Sequence, residues 1–342
     1  MTSRRTILSA FSAFSAFGAL SLSRLPPVLA ADSKTFTLPS LTADKTISAV
    51  LVPADSQRLA VLEYSVIENL QALGLASRIK AAVPTKNLPW IEPLPADCVY
   101  VANVKAVDVE TVRSARPDLI FISGRISRSI DVFKPVAPTV CLIPDKKNGW
   151  KSFTGNFLAL ADVFGRTAEA QKLTAPLEKR LAAVRKASAG ERAAVLMMVN
   201  GRMMAAPAGG AASRLTAEFG FTNVKAAPAG KNAPAPRPAP QPGQKPTPPT
   251  QAEIDAANAK TIAELVQLKP SRIFVLNKDE AIGMENPHTL AAATAGQAAW
   301  KQLEAVAAGR VHELTHAAWY LADGGVLSMD KMLGDAERAL GI

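Results

Sequence analysis

The sequence alternates short apolar segments, rich in β-branched residues, with longer amphipathic segments, and this alternation constrains the fold more than any other feature. The short segments predict strands and the longer ones predict helices. Strands are expected at residues 47–52, 58–62, 99–101, 119–122, 139–143, 194–199, 272–276 and 311–313. Helices are expected at residues 65–73, 107–115, 213–219, 251–268 and 327–340. Such alternation is typical of α/β folds with parallel sheets.

The two halves of the chain share a local pattern that predicts an internal duplication. Residues 108–122 contain a helical segment, a basic residue, Pro117 and an apolar strand, and residues 261–275 repeat this order around Pro270. In both places the proline stops the helix and disfavours helical geometry at the residue before it. The expected architecture is therefore a pair of Rossmann-like lobes.

The segment between the two halves is helical by composition. Residues 151–189 are rich in Ala, Leu, Lys, Arg and Glu, and they predict helices at 151–164 and 167–186. Lobes at residues 46–150 and 190–342 are then joined by a single long helix. A ligand is expected in the cleft between the lobes, where the carboxyl ends of the strands converge.

Residues 226–250 interrupt the pattern of the second half with nine prolines and almost no apolar bulk. Such a segment buries too little surface to offset the entropy lost on ordering. It predicts a disordered or polyproline-like insert within the C-terminal lobe.

The first 30 residues have the features of a twin-arginine signal peptide. Arg4 and Arg5 precede a weakly apolar stretch, and small residues ending at Ala30 provide a cleavage site. The apolar stretch is interrupted too early to span a bilayer, and no cysteine at the cleavage site signals a lipid anchor. The chain is thus expected to be exported to the periplasm as a freely diffusing protein without membrane insertion.

Charge and composition narrow the classes of ligand. The formal net charge is +10, yet the basic residues are dispersed and only 6% of residues are aromatic. That distribution argues against a nucleic-acid surface and favours an acidic small molecule. Three histidines, two cysteines and the absence of nucleophile or phosphate-loop motifs give no basis for an enzyme or for a resident cofactor or metal.

The two cysteines each lie in a separate apolar segment, in or next to a predicted strand. Cys98 and Cys141 are flanked by apolar residues, and cysteine is often buried without forming a disulfide. Two buried thiols are expected rather than one disulfide bond.

Several motifs resemble a known family. They are Leu-Glu-Tyr-Ser at 62–65, Pro-Asp-Leu-Ile-Phe-Ile-Ser-Gly-Arg at 117–125, Val-Asn-Gly at 199–201 and Trp-Tyr-Leu at 319–321. With them the chain resembles periplasmic binding proteins that carry catecholate-type ferric siderophores to ABC importers. The resemblance implies two α/β lobes joined by one long helix, a monomer, and an inner-membrane ABC permease as partner.

The resemblance and the predicted strand ends together provide candidate ligand-binding residues. Arginine suits a ferric catecholate because its planar guanidinium binds anionic oxygens and stacks on aromatic rings. The candidates are Arg125, Arg202, Arg214, Lys278 and Tyr320. In some relatives a tyrosine and a histidine bind the iron directly, but the segment expected to carry that histidine has none. The site is therefore expected to recognise the complex as an anion, with His316 as a further candidate.

Two acidic residues are candidates for docking to the permease. The resemblance implies one glutamate from each lobe, and Glu110 and Glu264 are the matching positions. Alternative functions are binding of haem, cobalamin or a hydroxamate siderophore, or an interaction role for the proline-rich segment.

Overall fold

The structure is a computed structural model that describes residues 34–102, 107–145, 148–206, 209–224 and 249–342. The predicted signal peptide and residues 226–248 of the proline-rich segment lie outside these residues. Among the described residues, no helix combines the length and apolar character needed to cross a membrane.

The predicted strands and helices of the described chain are present near their expected positions, and the structure adds strands that the sequence analysis did not predict, among them residues 79–82. The strands are β1 (Thr35–Leu41), β2 (Ile47–Pro53), β3 (Leu59–Leu62), β4 (Ile79–Ala82), β5 (Val99–Tyr100), β6 (Leu119–Ile122), β7 (Thr139–Val140), β8 (Arg192–Val199), β9 (Arg202–Ala205), β10 (Thr222–Asn223), β11 (Arg272–Asn277) and β12 (Val311–Glu313). The helices are α1 (Tyr64–Ala72), α2 (Val109–Ser114), α3 (Ile130–Phe133), α4 (Gly149–Val163), α5 (Thr167–Ala187), α6 (Arg214–Ala217), α7 (Gln251–Leu268), α8 (Lys278–Ala281), α9 (Leu290–Thr294), α10 (Ala298–Lys301), α11 (Glu304–Ala307), α12 (His316–Tyr320) and α13 (Val326–Leu340).

Two sheets, built mainly from parallel strands, are assembled in a similar order. The first sheet has the order β5-β4-β3-β6-β7, and the second has β10-β8-β11-β12, with β9 antiparallel to β8. In each sheet the chain begins at an inner strand, adds strands on one side of it and then crosses over to add strands on the other side. The order reverses between β3 and β6 and between β8 and β11, which is where ligands of open α/β sheets bind.

The two proline-terminated helices end in the same way. Arg116 and Lys269, the residues before Pro117 and Pro270, have left-handed backbone geometry with φ angles of 49° and 47°. Proline disfavours helical geometry in the residue that precedes it, so each helix stops there. The chain then enters β6 or β11, whose central residues are buried.

In the sequence, the long helix α5 follows α4 and lies between the strands of the first sheet and those of the second. The bounds of α5 are close to those predicted. Its 21 residues span about 32 Å at 1.5 Å per residue. Leu177, Leu181 and Val184 form its buried stripe, and the helix packs against α4 and α13.

An N-terminal hairpin departs from the sequence prediction. Residues 47–53 form a strand as expected, but it pairs with β1 in a separate antiparallel hairpin. The hairpin is tied to the first sheet because the Leu41 N–H donates to the Cys141 carbonyl at 3.0 Å and the Cys141 N–H donates to Ser40 Oγ at 2.9 Å. A lobe boundary at residue 46 therefore falls inside this hairpin.

The two cysteines are buried free thiols, as predicted. Cys98 precedes β5 and Cys141 follows β7, at opposite edges of the first sheet. Four strand spacings separate these edges by about 19 Å, far beyond the reach of a disulfide. Burial raises the pKa of Cys98 to about 11 and that of Cys141 to about 12, so neither thiol is reactive near neutral pH.

Candidate functional site

A cavity of about 410 Å³ lies between the two halves of the described chain. The loops after β3 and β6 contribute Glu63 and Ser123, so the cavity lies at the point where the strand order of the first sheet reverses. The second half contributes mainly apolar or small residues, namely Met197, Ala206, Gly209, Gly210, Ala211, Ala212, Leu276 and Trp319. The volume suits a small-molecule ligand.

Arg125 and Tyr320 are the two predicted ligand-binding residues that line this cavity together. Arg125 Nη2 donates a hydrogen bond to the Tyr320 carbonyl oxygen at 2.8 Å. The Arg125 Cζ atom also lies 5.8 Å from the centroid of the Tyr320 ring, within cation–π range. One guanidinium from the first half thus contacts both the backbone and the ring of a residue in the second half.

Glu63 is a buried carboxylate of the cavity that the sequence analysis did not select. It caps the N-terminus of α1, where Oε1 accepts a hydrogen bond from the Ser65 N–H at 3.4 Å. Burial raises the pKa of its carboxyl, and the Arg125 guanidinium opposes that rise. Its place directly after a buried strand was the available signal, since strand ends carry ligand-binding residues in such folds.

Lys45 is a second lining residue that the sequence analysis missed. It lies in the turn between β1 and β2, and its Nζ is hydrogen-bonded to Ser127 Oγ and lies 3.4 Å from the Gly124 carbonyl oxygen. No local motif marks it, because only the packing of the hairpin on the first sheet brings it to the cavity.

Arg214 is buried and paired, and it does not line this cavity. Its Nη1 lies 2.6 Å from Glu218 Oε2 and its Nη2 lies 2.7 Å from Asp323 Oδ1. The predicted helix at 213–219 is also shorter, with a 3₁₀ turn before α6. Two carboxylates therefore satisfy the guanidinium inside the protein.

Arg202 and Lys278 also lie away from the cavity lining. Arg202 is exposed on β9, opposite Val199 and next to the tight turn into that strand. Lys278 begins α8 directly after β11. Leu276 faces the cavity, and residue 278 would share its face only if the strand continued. The start of α8 turns the chain before that happens.

His316 and His288 form hydrogen bonds within the protein. His316 Nδ1 accepts from the Asn277 N–H at 3.1 Å, and its Nε2 lies 3.4 Å from Glu280 Oε2. Burial lowers the pKa of His316, and His288 Nδ1 lies 3.1 Å from Asp279 Oδ2. Within the described ranges, His, Cys, Asp and Glu form no group of three or more that is placed to hold a metal ion.

The two glutamates predicted to dock a permease are both exposed. Glu110 lies in the first turn of α2, with Oε1 3.3 Å from Arg113 Nε. Glu264 lies near the C-terminal end of α7, so the two residues occupy opposite ends of their helices. This difference arises because α7 is three times the length of α2, with 18 residues against six.

Comparisons with known proteins agree with this architecture. The model of the periplasmic binding protein family matches residues 59–318. The petrobactin-binding protein YclQ of Bacillus subtilis (strain 168) is 26% identical over 301 residues, covering 84% of each chain. Its crystal structure matches with a TM-score of 0.72 and 22% identity, over 90% of this chain and 99% of that one.

Two further solved structures share the fold. The substrate-binding protein PiuA of an iron-uptake ABC transporter from Streptococcus pneumoniae matches with a TM-score of 0.71 and 23% identity, over 91% of this chain and all of its own (100%). The catecholate-siderophore binding protein VctP of Vibrio cholerae matches with a TM-score of 0.67 and 18% identity, over 88% of this chain and 99% of that one. The predicted α/β fold class is confirmed.

Proposed function

Because the chain belongs to the periplasmic binding protein family, we propose that it captures an anionic ferric siderophore of catecholate type and delivers it to an inner-membrane ABC permease. The complex occupies the cavity between the two halves of the chain. The iron is cargo within the siderophore rather than a resident cofactor, and the protein works as an exported periplasmic monomer. The family is a class of binding proteins, and no catalytic step is proposed.

The pairing of Arg125 with Tyr320 at the cavity is the observation that carries this proposal. A ferric catecholate combines negatively charged oxygens with flat aromatic rings, and a guanidinium binds both kinds of group. Arg125 is not engaged in a salt bridge within the described chain, so its charge, and the N–H groups that do not bind Tyr320 and Ser123, are available to an anion. The Tyr320 ring offers a stacking surface beside it.

The relatives support the same class of ligand. One is named as a petrobactin-binding protein, another as a catecholate-siderophore binding protein, and a third is described bound to acinetobactin and ferric iron. The exposed Glu110 and Glu264 are proposed to contact the permease.

Fluorescence titration tests the proposal directly. One of the four tryptophans, Trp319, lines the cavity, so a bound ferric catecholate is expected to quench emission in a saturable way. Ferric hydroxamates, haem and cobalamin are titrated in parallel. Tight binding of one of these, with no response to any ferric catecholate, would contradict the assignment.

The variant Arg125→Gln tests whether the ferric catecholate binds in this cavity. It removes the charge but keeps a polar side chain, and it is expected to weaken binding of the ferric catecholate at least tenfold, or about 1.4 kcal/mol. Arg128→Gln is the matched control, because Arg128 is exposed on the same loop and is outside the cavity lining. Equal affinities for the two variants would remove Arg125 from the site.

A further inference from the structure

The turn between β1 and β2 has a conformation fixed by its own side chains. Asp44 Oδ1 accepts hydrogen bonds from the hydroxyl groups of Thr42 and Thr46. The Thr46 N–H donates to Thr42 Oγ1 at 3.2 Å, and the Thr42 N–H donates to the Thr46 carbonyl at 2.8 Å. The hydrogen bonds that Asp44 accepts from Thr42 and Thr46 lower the pKa of its carboxyl. The turn is therefore a preorganised element at the edge of the cavity.

Lys45 is held by this turn in a backbone conformation that lysine seldom adopts. Its φ angle is 69°, in the left-handed region, and its N–H donates to the Thr42 carbonyl at 3.2 Å. The side chain reaches across to the loop after β6, where its ammonium donates to Ser127 Oγ. That loop also carries Arg125, so the two cations are anchored to one segment of the first half.

The charges of the cavity are distributed unevenly. Lys45 and Arg125 are the cations of the described lining, and neither forms a salt bridge with another described residue. Of the lining carboxylates, Asp323 is ion-paired with Arg214 in the second half, and Glu63 carries at most one negative charge against the two cations of the first half. Net positive charge therefore faces the ligand from the first half.

The opposite wall offers a different chemistry. Met197, Leu276 and Trp319 are apolar, and residues 209–212 are glycine and alanine. A wall of this composition contributes area for apolar contact but no cation to neutralise an anion. A ligand that fills the cavity thus meets cations at one side and apolar surface at the other.

We propose that Lys45 is a specificity-determining residue of the cavity, which acts with Arg125 to select ligands that present anionic oxygens to the first half and an uncharged aryl or hydrocarbon end to the second. This inference rests on the proposed function and adds to it an orientation for the ligand and a selection by charge. The fixed turn keeps the ammonium in place before the ligand arrives, which limits the ordering cost of binding.

The test compares Lys45→Gln with Lys34→Gln. Lys34 precedes β1 at the opposite end of the same hairpin, where its Nζ lies 4.8 Å from the Phe36 ring, so this control removes an equal charge away from the cavity. The probes are an anionic ferric tris(catecholate) and an uncharged ferric tris(hydroxamate), each titrated at low and high salt. Lys45→Gln is expected to weaken binding of the catecholate about tenfold relative to the control. Binding of the hydroxamate, where it occurs, is expected to stay the same.

The salt dependence separates a role of charge from a role in shaping the hairpin. Removing a cation that faces the ligand reduces the loss of affinity at high salt, whereas a distorted hairpin weakens all ligands equally. Lys45→Arg is expected to restore most of the binding. Unchanged catecholate affinity in Lys45→Gln, or an equal loss for both probes, would overturn the inference. A wild-type protein that binds no ferric complex would overturn the proposed function as well, and that outcome is distinct because it needs no variant.

Discussion

Arg214 Nη2 lies 2.7 Å from Asp323 Oδ1, and the pair joins α6 to the segment that follows α12 across 109 residues of chain. Glu218 completes the arrangement on the other side of the guanidinium. Asp323 also lines the cavity that contains Arg125, so Arg214 offsets the charge of a carboxylate that an anionic ligand would otherwise meet. Arg214 therefore influences the charge of the cavity through Asp323 and is not itself part of the lining.

Arg214→Met is expected to destabilise the protein by about 3–5 kcal/mol, because it leaves two carboxylates without their shared cation at a buried position. Chemical denaturation measures this change. Arg202→Met is the matched control, since Arg202 is exposed, and a surface substitution is expected to stay within about 0.5 kcal/mol. Similar free energies of unfolding for the two variants would show that the buried pairs contribute little.

Gly149 provides an independent check on the position of Arg214. A Cβ atom at residue 149 would overlap the Arg214 guanidinium, whereas one at Gly155 of the same helix meets no atom within 4 Å. Gly149→Ala is therefore expected to cost about 2 kcal/mol through overpacking. Gly155→Ala is expected to stabilise the helix by about 0.5–1 kcal/mol. Thermal and chemical denaturation of the two variants should shift in opposite directions, and a shift of the same sign would place the guanidinium elsewhere.

Glu63 links ligand affinity to pH. An ionised Glu63 opposes the capture of an anion by Arg125, and protonation removes that opposition. Burial raises the pKa of this carboxyl, so Glu63 takes up a proton more readily as the pH falls. An anion bound beside it favours the protonated form further. Glu63→Gln is expected to tighten binding of an anionic ferric complex at neutral pH by on the order of fivefold, or about 1 kcal/mol.

The ratio of the Glu63→Gln affinity to the wild-type affinity is expected to shrink at lower pH. Using this ratio cancels the protonation of the siderophore itself, which affects both proteins equally. A ratio that stays constant over the measured range would show that Glu63 does not titrate when the ligand binds.

Glu68 makes the stability of the fold depend on pH. Its carboxyl accepts hydrogen bonds from Trp90 Nε1 at 2.7 Å and from the Ser328 N–H at 2.9 Å, at the N-terminus of α13. Burial raises its pKa from 4.5 to about 7, so the folded protein binds a proton more tightly than the unfolded chain does. The contribution of Glu68 to the free energy of unfolding is therefore expected to be fully present below pH 4.5, to fall by roughly 3 kcal/mol as the pH rises to 7, and to level off above that.

Urea denaturation between pH 5 and pH 8 measures this dependence. Glu68→Gln cannot titrate, so its free energy of unfolding is expected to lose the Glu68 part of the slope, whatever its absolute stability. Glu110→Gln is the control, because the Glu110 side chain is exposed and the slope should match the wild type. A slope in Glu68→Gln equal to that of the wild type would assign the pH dependence to other groups.

The sequence by itself determined the order and the bounds of the main elements. Residues 119–122 and 311–313 form strands as predicted, and residues 251–268 form a helix, because apolar periodicity, proline and capping residues act over a few positions of chain. Arg125 and Tyr320 could also be predicted from the sequence, since each follows or lies within a motif at the end of an element. The positions of Cys98 and Cys141 beside two different strands followed from the same local patterns.

Only the tertiary structure decided which charges reach the cavity. Arg214 and Arg125 look alike in sequence, yet one is neutralised by Asp323 and Glu218 while the other faces the cavity. Lys45 reaches the site because the hairpin packs on the first sheet, through contacts about 100 residues away in the chain at Cys141. A local pattern specifies that a side chain is charged, but the electrostatic role of that charge depends on which distant carboxylates and carbonyls the folded chain places within about 4 Å of it.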